Sequence, residues 1–189
     1  SYNITERYFW IDLLANPGKF MQLPAAASTS GAGVVLLLTG QSYQMGMKQG
    51  IVFSTMTTKT LTAQLQSIMQ GVSGGVALVY EVATTNVIAV SWDGENLVGA
   101  TQYDAASNTP MATVKNLTVL SSNGMMTEAI QLLGGAAVVA QTNSVDKMTN
   151  GMFVSVRPIA APGAQWNVIV AMSLTPQLVA QAVGTQLSM

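Results

Sequence analysis

The clearest pattern in the chain is a pair of apolar runs near its C-terminal end, Met152–Ile159 and Trp166–Ser173, both rich in β-branched residues. The connection between them, Ala160–Gln165, contains Pro162 with its preset φ and Gly163, which is free to take a positive φ. This pattern predicts a β-hairpin. Because both runs are apolar at almost every position, we expect the sheet that contains them to be covered on both faces, or nearly so.

Helical periodicity marks four other segments. Apolar residues recur at i, i+4 and i+7 over Ser1–Ala15, where Asn3 is a suitable N-cap. A second helix is predicted over Thr57–Val72, which carries apolar residues on one face and is followed by glycines. Further helices are predicted over Met125–Leu133 and over Thr175–Leu187 at the end of the chain.

Strand patterns precede the C-terminal hairpin. Gly75–Val82 and Val87–Trp92 flank a four-residue turn and predict a second hairpin. Ala136–Gln141 is predicted to be a third strand, whereas Met111–Leu120 is predicted to be a short helix. The pattern of residues 34–53 leaves strand and helix both open.

The order of these elements is typical of an α+β domain built on one antiparallel sheet. Helices come first, two tightly joined strands follow, a helical and irregular crossover comes next, and three strands close the sheet. A chain of 189 residues is long enough for one sizeable core. We therefore expect one continuous domain, in which residues 1–56 form an N-terminal helix and irregular lead-in and residues 57–189 form the sheet domain.

The composition constrains the class of protein. Only 8% of the residues are charged while 49% are hydrophobic, so the polar surface must be built from Ser, Thr, Asn and Gln rather than from the ~25% of charged residues usual in soluble domains. This balance is typical of secreted or surface-displayed proteins. Seven basic residues are scattered along the chain and the net charge is -1, so no basic stripe is available for nucleic acid.

The chain contains no Cys and no His. Their absence removes disulfides, thiolate chemistry, Ser-His-Asp catalysis and the commonest zinc sites. Glu81 is the one acid whose burial in a strand could raise its pKa, and a lone acid does not make an active site. We therefore predict neither an enzyme nor a cofactor. No apolar run approaches the ~18 residues that span a bilayer, so a membrane would be reached only through flanking segments.

Two phrases of the sequence resemble the extracellular Cache sensor domains, a PAS-like family. VALVYEVATTNVIAVS at Val76–Ser91 is similar to that family's strand, short turn and strand. GMFVSVRPIAAPGAQWNVIVAMSLTPQLVAQ at Gly151–Gln181 is similar to its last two strands and the helix that leads out. The resemblance implies a PAS-like five-stranded antiparallel sheet with a long N-terminal helix and a helical crossover. It also implies a ligand pocket between the sheet and the crossover.

The resemblance further implies a function: an extracellular or cell-surface domain that senses a small molecule, such as an amino acid or small carboxylate, for a membrane receptor. Family members that bind amino acids line the pocket with aromatic residues, an Arg and an Asp. The candidates of those types here are Tyr80, Trp92, Tyr103, Asp104 and Arg157. They do not align with the family motif residue by residue.

Other interpretations stay open. The same fold could serve as a self-associating subunit of an extracellular filament or coat, because weakly charged surfaces repel each other little. Arg157 could instead extend its charged group to water, and Asp104 could be a turn residue. Sequons at Asn3 and Asn116 permit N-glycosylation, although two such sequons would arise by chance in a chain of this composition.

Overall fold

The computed structural model describes residues 8–27, 35–46, 48–103, 110–120, 123–149, 151–161 and 163–174. Within these ranges the helices are α1 (Tyr8–Ala15), α2 (Thr58–Met69), α3 (Gly124–Leu132) and α4 (Ala136–Ala140). The strands are β1 (Phe20–Gln22), β2 (Ala26–Ala27), β3 (Val35–Met45), β4 (Lys48–Thr57), β5 (Gly75–Glu81), β6 (Val87–Val90), β7 (Val98–Tyr103), β8 (Pro110–Val114), β9 (Val145–Met148), β10 (Met152–Ala161) and β11 (Ala164–Ser173). This mixture of helices and antiparallel sheets agrees with the predicted α+β class.

The central sheet has five antiparallel strands in the order β6-β5-β11-β10-β9. Its longest pairing joins β10 and β11, in register from Met152 opposite Ser173 to Ala161 opposite Ala164. The predicted C-terminal hairpin is therefore confirmed. Its strands run further than expected, because residues assigned to the connection continue the ladder. Gly163 in the tight turn has a φ of 70°, which a glycine adopts at little cost.

The two faces of the central sheet are covered to different extents. The face toward α3 and α4 carries completely buried side chains, such as Leu78 and Ile169. On the opposite face α2 packs against β5 and β6, while Trp166 and Val168 on β11 are only half-buried. The expectation of two covered faces thus holds fully for one face and in part for the other.

A second sheet is built on the β3–β4 hairpin, with β1 and β2 paired to the other edge of β3. Helix α1 packs on it, and the rings of Trp10 and Phe53 stack with centroids 6.3 Å apart. Gly40 permits this approach, because a Cβ there would lie 2.7 Å from the Phe53 ring and 2.8 Å from Leu13. The sequence pattern of residues 34–53 left this sheet undecided.

Two predicted elements are wrong. Ala136–Gln141 was expected to be a strand, but α4 occupies it, since the amides of Val138 and Val139 are bonded to the carbonyl of Gly135. The strand that pairs with the edge of β10 opposite β11 is β9, a few residues later. Met111–Leu120 was expected to be a short helix, but its first residues belong to β8, whose amide and carbonyl groups pair with β7.

The remaining helix predictions agree with the structure where it describes them. Helix α1 ends at Ala15 as expected, and α2 and α3 match their predicted positions to within three residues. The side chain of Asn123 caps α3 by accepting a hydrogen bond from the amide of Met126 at 3.0 Å. Residues 1–7, with the predicted cap Asn3, and the predicted helix Thr175–Leu187 lie outside the described residues. No helix within the described ranges is long and apolar enough to cross a membrane.

Candidate functional site

A cavity of about 490 Å³ lies where the tip of the β10–β11 hairpin meets β1 and the turn after β5. This volume falls within the range of small-molecule sites in proteins. The walls are small residues of the turn and hairpin tip together with five larger side chains: Gln22, Glu81, Thr84, Gln165 and Trp166. The cavity therefore joins parts of the chain that are far apart in sequence.

The hairpin tip closes one wall by resting on β1. The amide of Gln22 donates a hydrogen bond to the carbonyl of Gly163 at 3.2 Å. A Cβ on Gly163 would lie 2.8 Å from a ring carbon of Phe20 and 3.1 Å from the Phe20 carbonyl oxygen. Only a residue without a side chain fits here, so Gly163 both makes the tight turn and brings the central sheet to the second sheet.

Glu81 is the buried acid of the cavity. It is the last residue of β5, lies opposite Trp166 on β11, and is 6% exposed. Its Oε1 accepts a hydrogen bond from the amide of Ala25 at 2.8 Å, and its Oε2 accepts one from Thr84 Oγ1 at 2.8 Å. Burial raises the pKa of Glu81 above its ordinary value, because loss of water penalises the carboxylate more than its hydrogen bonds with Thr84, Ala25 and Asn86 favour it.

The ion pairs found among the described residues lie away from this carboxylate. They join Lys19 to Asp12, Lys115 to Glu95 and Arg157 to Asp146. None of the described residues that line the cavity is a Lys or an Arg. Glu81 is therefore a buried acid without a cationic partner in the described part of the protein.

Gln22 supplies a second unusual group. Its Nε2 atom is shielded from solvent and has no hydrogen-bond partner among the described residues. A buried amide without a partner costs free energy, and the residue that carries it is part of the cavity wall. No group of three or more metal-ligating side chains occurs in the ranges that the structure describes.

Tyr80, the first of the sequence-predicted ligand residues, lies in the core beneath α4. It is completely buried, its hydroxyl donates to the carbonyl of Val139 at 2.9 Å, and it accepts from Asn167 Nδ2 at 3.0 Å. Asn167 also donates to the carbonyl of Thr142 at 2.8 Å. Burial raises the pKa of Tyr80, outweighing the opposite effect of the hydrogen bond with Asn167. The Tyr80 hydroxyl thus already has a donor and an acceptor.

Arg157 lies on the other face of the central sheet. In the ladder it stands opposite Val168, while Tyr80 stands opposite Asn167, so the two side chains point to opposite faces. Arg157 is exposed, and its guanidinium donates to Asp146. Hydrogen bonding from Arg157 holds the pKa of Asp146 below its ordinary value. The structure therefore does not bring Tyr80 and Arg157 together.

The other sequence-predicted residues are placed as follows. Trp92 is half-buried just beyond β6, and its Nε1 donates to Glu95 Oε2 at 3.4 Å. Tyr103 is the last residue of β7, and Asp104 lies outside the described residues. The ligand-binding role of the five residues stays a prediction.

The possible glycosylation sites also stay predictions. Asn116 is half-buried, and its Oδ1 accepts a hydrogen bond from Thr118 Oγ1 at 2.6 Å, within the same sequon. Asn3 lies outside the described residues.

Sequence reasoning named Glu81 as the acid to examine but missed the other polar residues of the cavity. Gln22 and Gln165 carry no motif, and their amides become significant only once the hairpin tip rests on β1. Thr84 sits in a predicted turn, where a threonine has an ordinary structural explanation. No local signal could have found these residues.

Neither the protein-family models nor the curated proteins provide a match to this sequence. Solved structures do match it. The ligand-binding domain of the amino acid chemoreceptor PctC of Pseudomonas aeruginosa PAO1, in complex with GABA, has a TM-score of 0.54 at 17% identity; the match covers 91% of this chain and 62% of that one. The periplasmic sensory domain of the Campylobacter jejuni chemoreceptor Tlp1 has a TM-score of 0.55 at 12% identity, covering 89% and 55%.

An extracellular ligand-binding receptor from Desulfohalobium retbaense DSM5692 also matches, with a TM-score of 0.55 at 12% identity and coverage of 89% of this chain and 25% of that one. This chain thus spans less than two thirds of the length of each of these three proteins. At such low identities the similarity shows a shared fold. The fold agrees with the resemblance to sensor domains noted from the sequence.

Proposed function

We propose that this chain is an extracellular, small-molecule-sensing domain of a membrane receptor and that it is not an enzyme. The observation that carries the proposal is its fold, which is shared over about nine tenths of the chain with sensory and ligand-binding domains. The strand order β6-β5-β11-β10-β9 also fits the PAS-like arrangement that the sequence resemblance implies. Extracellular display is consistent with the low charge of the sequence.

The ligand would bind in the cavity beside Glu81. That cavity has room, and it offers a buried carboxylate and an unpartnered amide donor. The region around Tyr80 offers less, because the Tyr80 hydroxyl is already bonded on both sides within the core. Tyr80, Trp92, Tyr103, Asp104 and Arg157 remain the alternative proposal for the site.

The position of the cavity suggests how binding would be transmitted. One wall belongs to the central sheet and another to β1, which pairs with β3 in the sheet that carries α1. A ligand that favours one separation of the hairpin tip from β1 would shift the population of arrangements of the two sheets. Helix α1 would move with the second sheet.

The proposal is tested by a thermal-shift screen of the purified chain against amino acids, small carboxylates and amines. A ligand present at about 100 times its Kd should stabilise the fold by about 2.7 kcal/mol, which corresponds to a rise in Tm of roughly 5–10 °C for a chain of this size. Isothermal titration calorimetry would confirm direct binding. If no compound in the panel raised Tm or gave a binding heat, the sensing function would be wrong.

A self-associating structural subunit is the second candidate. It is favoured by exposed apolar side chains on one face of the β3–β4 hairpin, namely Tyr43, Met45, Val52 and Met56. Such a patch on a weakly charged protein favours association. Light scattering over a range of concentrations distinguishes the two candidates.

A further inference from the structure

The carboxylate of Glu81 has room for another donor. Its oxygens accept hydrogen bonds at 2.8 Å from the amide of Ala25 and from Thr84 Oγ1, and the Asn86 side chain is a third donor. An ionised carboxylate offers about four lone-pair positions, so one position remains. A ligand donor that enters the cavity could therefore bond to Glu81 without displacing these protein contacts.

The charge of that donor follows from the surroundings of Glu81. A buried carboxylate without a cation is costly, and in the absence of a ligand the acid holds its proton more readily than usual. A ligand ammonium would offset the negative charge and make a charge-assisted hydrogen bond, which is stronger than a neutral one. The cavity should thus prefer a cationic ligand to a neutral donor.

The rest of the cavity limits what else the ligand can carry. Gln22 lines the cavity, and its Nε2 has no hydrogen-bond partner among the described residues, so a ligand oxygen that reached this atom would satisfy it. No Lys or Arg stands among the described lining residues to balance a second negative charge beside Glu81. A neutral oxygen, as in an amide, alcohol or ether, meets the need of Gln22, whereas a carboxylate would share a partly enclosed space with Glu81 without a cation. The half-buried Trp166 offers an apolar wall for the carbon chain between the two groups.

We propose that the cavity beneath the hairpin tip binds a small primary amine that carries a neutral oxygen acceptor and no carboxylate, with its ammonium on Glu81 and its acceptor on Gln22. This inference rests on the proposed sensing function and specifies the ligand class of the same site. It distinguishes the ligand from the amino acids and small carboxylates that the sequence resemblance suggests.

The inference is tested by calorimetric titration of the chain with three matched probes: 4-aminobutanamide, 4-aminobutanoate and butanamide. They differ only in the acceptor group or in the presence of the amine. We expect 4-aminobutanamide to bind at least roughly tenfold more tightly than either of the others, since one charged hydrogen bond is worth about that factor. Tighter binding of 4-aminobutanoate than of 4-aminobutanamide would overturn the inference.

Variants locate the binding. Glu81→Gln should weaken the binding of 4-aminobutanamide at least roughly tenfold, and Gln22→Met, which removes the amide donor, should weaken it less. Asp146→Asn removes one negative charge from an exposed acid on β9 and should leave the affinity unchanged. Circular dichroism would verify that each variant is folded. Unchanged affinity in a folded Glu81→Gln variant would overturn the inference.

The pH profile gives an independent readout. The ammonium of the ligand binds to Glu81 as a charge pair only when the carboxyl is ionised. The affinity of 4-aminobutanamide should therefore fall as the pH is lowered through the raised pKa of Glu81. Affinity that is independent of pH between neutrality and pH 4 would contradict the assignment of the amine to Glu81.

If neither the three probes nor any compound of the wider screen bound, the proposed function would fail together with this inference. If other compounds bound and amines did not, only the inference would fail.

Discussion

Tyr80 and Glu81 are consecutive residues of β5 that bury polar groups in different ways. Tyr80 points to the face covered by α4, where its hydroxyl is bonded to Val139 and Asn167. Glu81 points to the other face, where hydrogen bonds from Ala25 and Thr84, among others, hold its carboxylate at the wall of a cavity. The hydroxyl of Tyr80 has both a donor and an acceptor within the protein and stabilises the fold, whereas the carboxylate of Glu81 can still accept a hydrogen bond from a ligand. Two substitutions test this difference.

The stability of the chain should depend on the protonation of Glu81. Its folded pKa lies above the ordinary value of 4.5, so the folded state binds this proton more tightly than the unfolded state. The corresponding stability is fully present below pH 4.5 and is lost as the pH rises through the folded pKa. Glu81→Gln mimics the protonated acid and should therefore remove this loss.

The measurement is Tm between pH 4 and pH 8 for the wild type and for Glu81→Gln. The Tm of the wild type should fall relative to that of the variant as the pH rises from 4.5 toward neutrality. Glu128→Gln, at an exposed position on α3, is the control and should follow the wild type. Parallel curves for the wild type and Glu81→Gln would show that the carboxyl titrates alike in both states.

Tyr80→Phe should destabilise the fold by roughly 0.5–1.5 kcal/mol, because it removes one hydrogen bond from the carbonyl of Val139 and one from the side-chain amide of Asn167 in the core. Tyr43→Phe removes a hydroxyl from a residue that is 46% exposed, and it should change stability by less than about 0.5 kcal/mol. Urea denaturation of both variants gives the comparison. Equal losses would mean that the Tyr80 hydroxyl contributes nothing specific.

At the scale of elements, the sequence correctly predicted those helices and strands that are determined by hydrophobic periodicity and by turn residues. The long hairpin of β10 and β11 carries β-branched runs and a Pro-Gly turn, and α2 shows an apolar stripe over twelve residues. The segments whose structure was predicted wrongly or left undecided are short apolar runs. Ala136–Ala140 spans just over one helical turn, too short to show a period, and β3 and β4 lack a regular alternation because their two faces are covered unevenly. The secondary structure of those segments is determined by tertiary packing.

Gly163→Ala should destabilise the protein more than Gly94→Ala. Both glycines have a positive φ, 70° and 80°, so both substitutions incur the backbone cost of about 1–2 kcal/mol. Only at Gly163 would the new methyl group meet another part of the chain, Phe20, whereas nothing lies within 4 Å at Gly94. We expect about 1–3 kcal/mol of additional loss from this clash, measured by urea denaturation. Equal losses would indicate that the hairpin tip does not rest on β1.

At the scale of the whole molecule, the candidate site lies at the junction of the two sheets. Its polar groups come from β1, from the end of β5 with the turn that follows, and from the β10–β11 tip, which are far apart in the sequence and meet where the two sheets adjoin. The sequence could therefore predict the hairpin and one acid, but not the cavity. The same architecture leaves one face of the β3–β4 hairpin with apolar side chains in water, which bears on association.

Association through that face should depend on Val52. Val52 is 62% exposed and shares its face with Met56, which is 39% exposed, because the two residues are four apart on β4 and side chains at even separations along a strand lie on one face. If copies of the chain associate there, the average mass of the wild type in light scattering should rise with concentration. Val52→Glu should keep the protein monomeric by placing charge within the patch. Thr55→Glu adds the same charge at an exposed position on the opposite face and should associate like the wild type. A wild type that stays monomeric at millimolar concentration would exclude the structural-subunit candidate and leave the sensing domain.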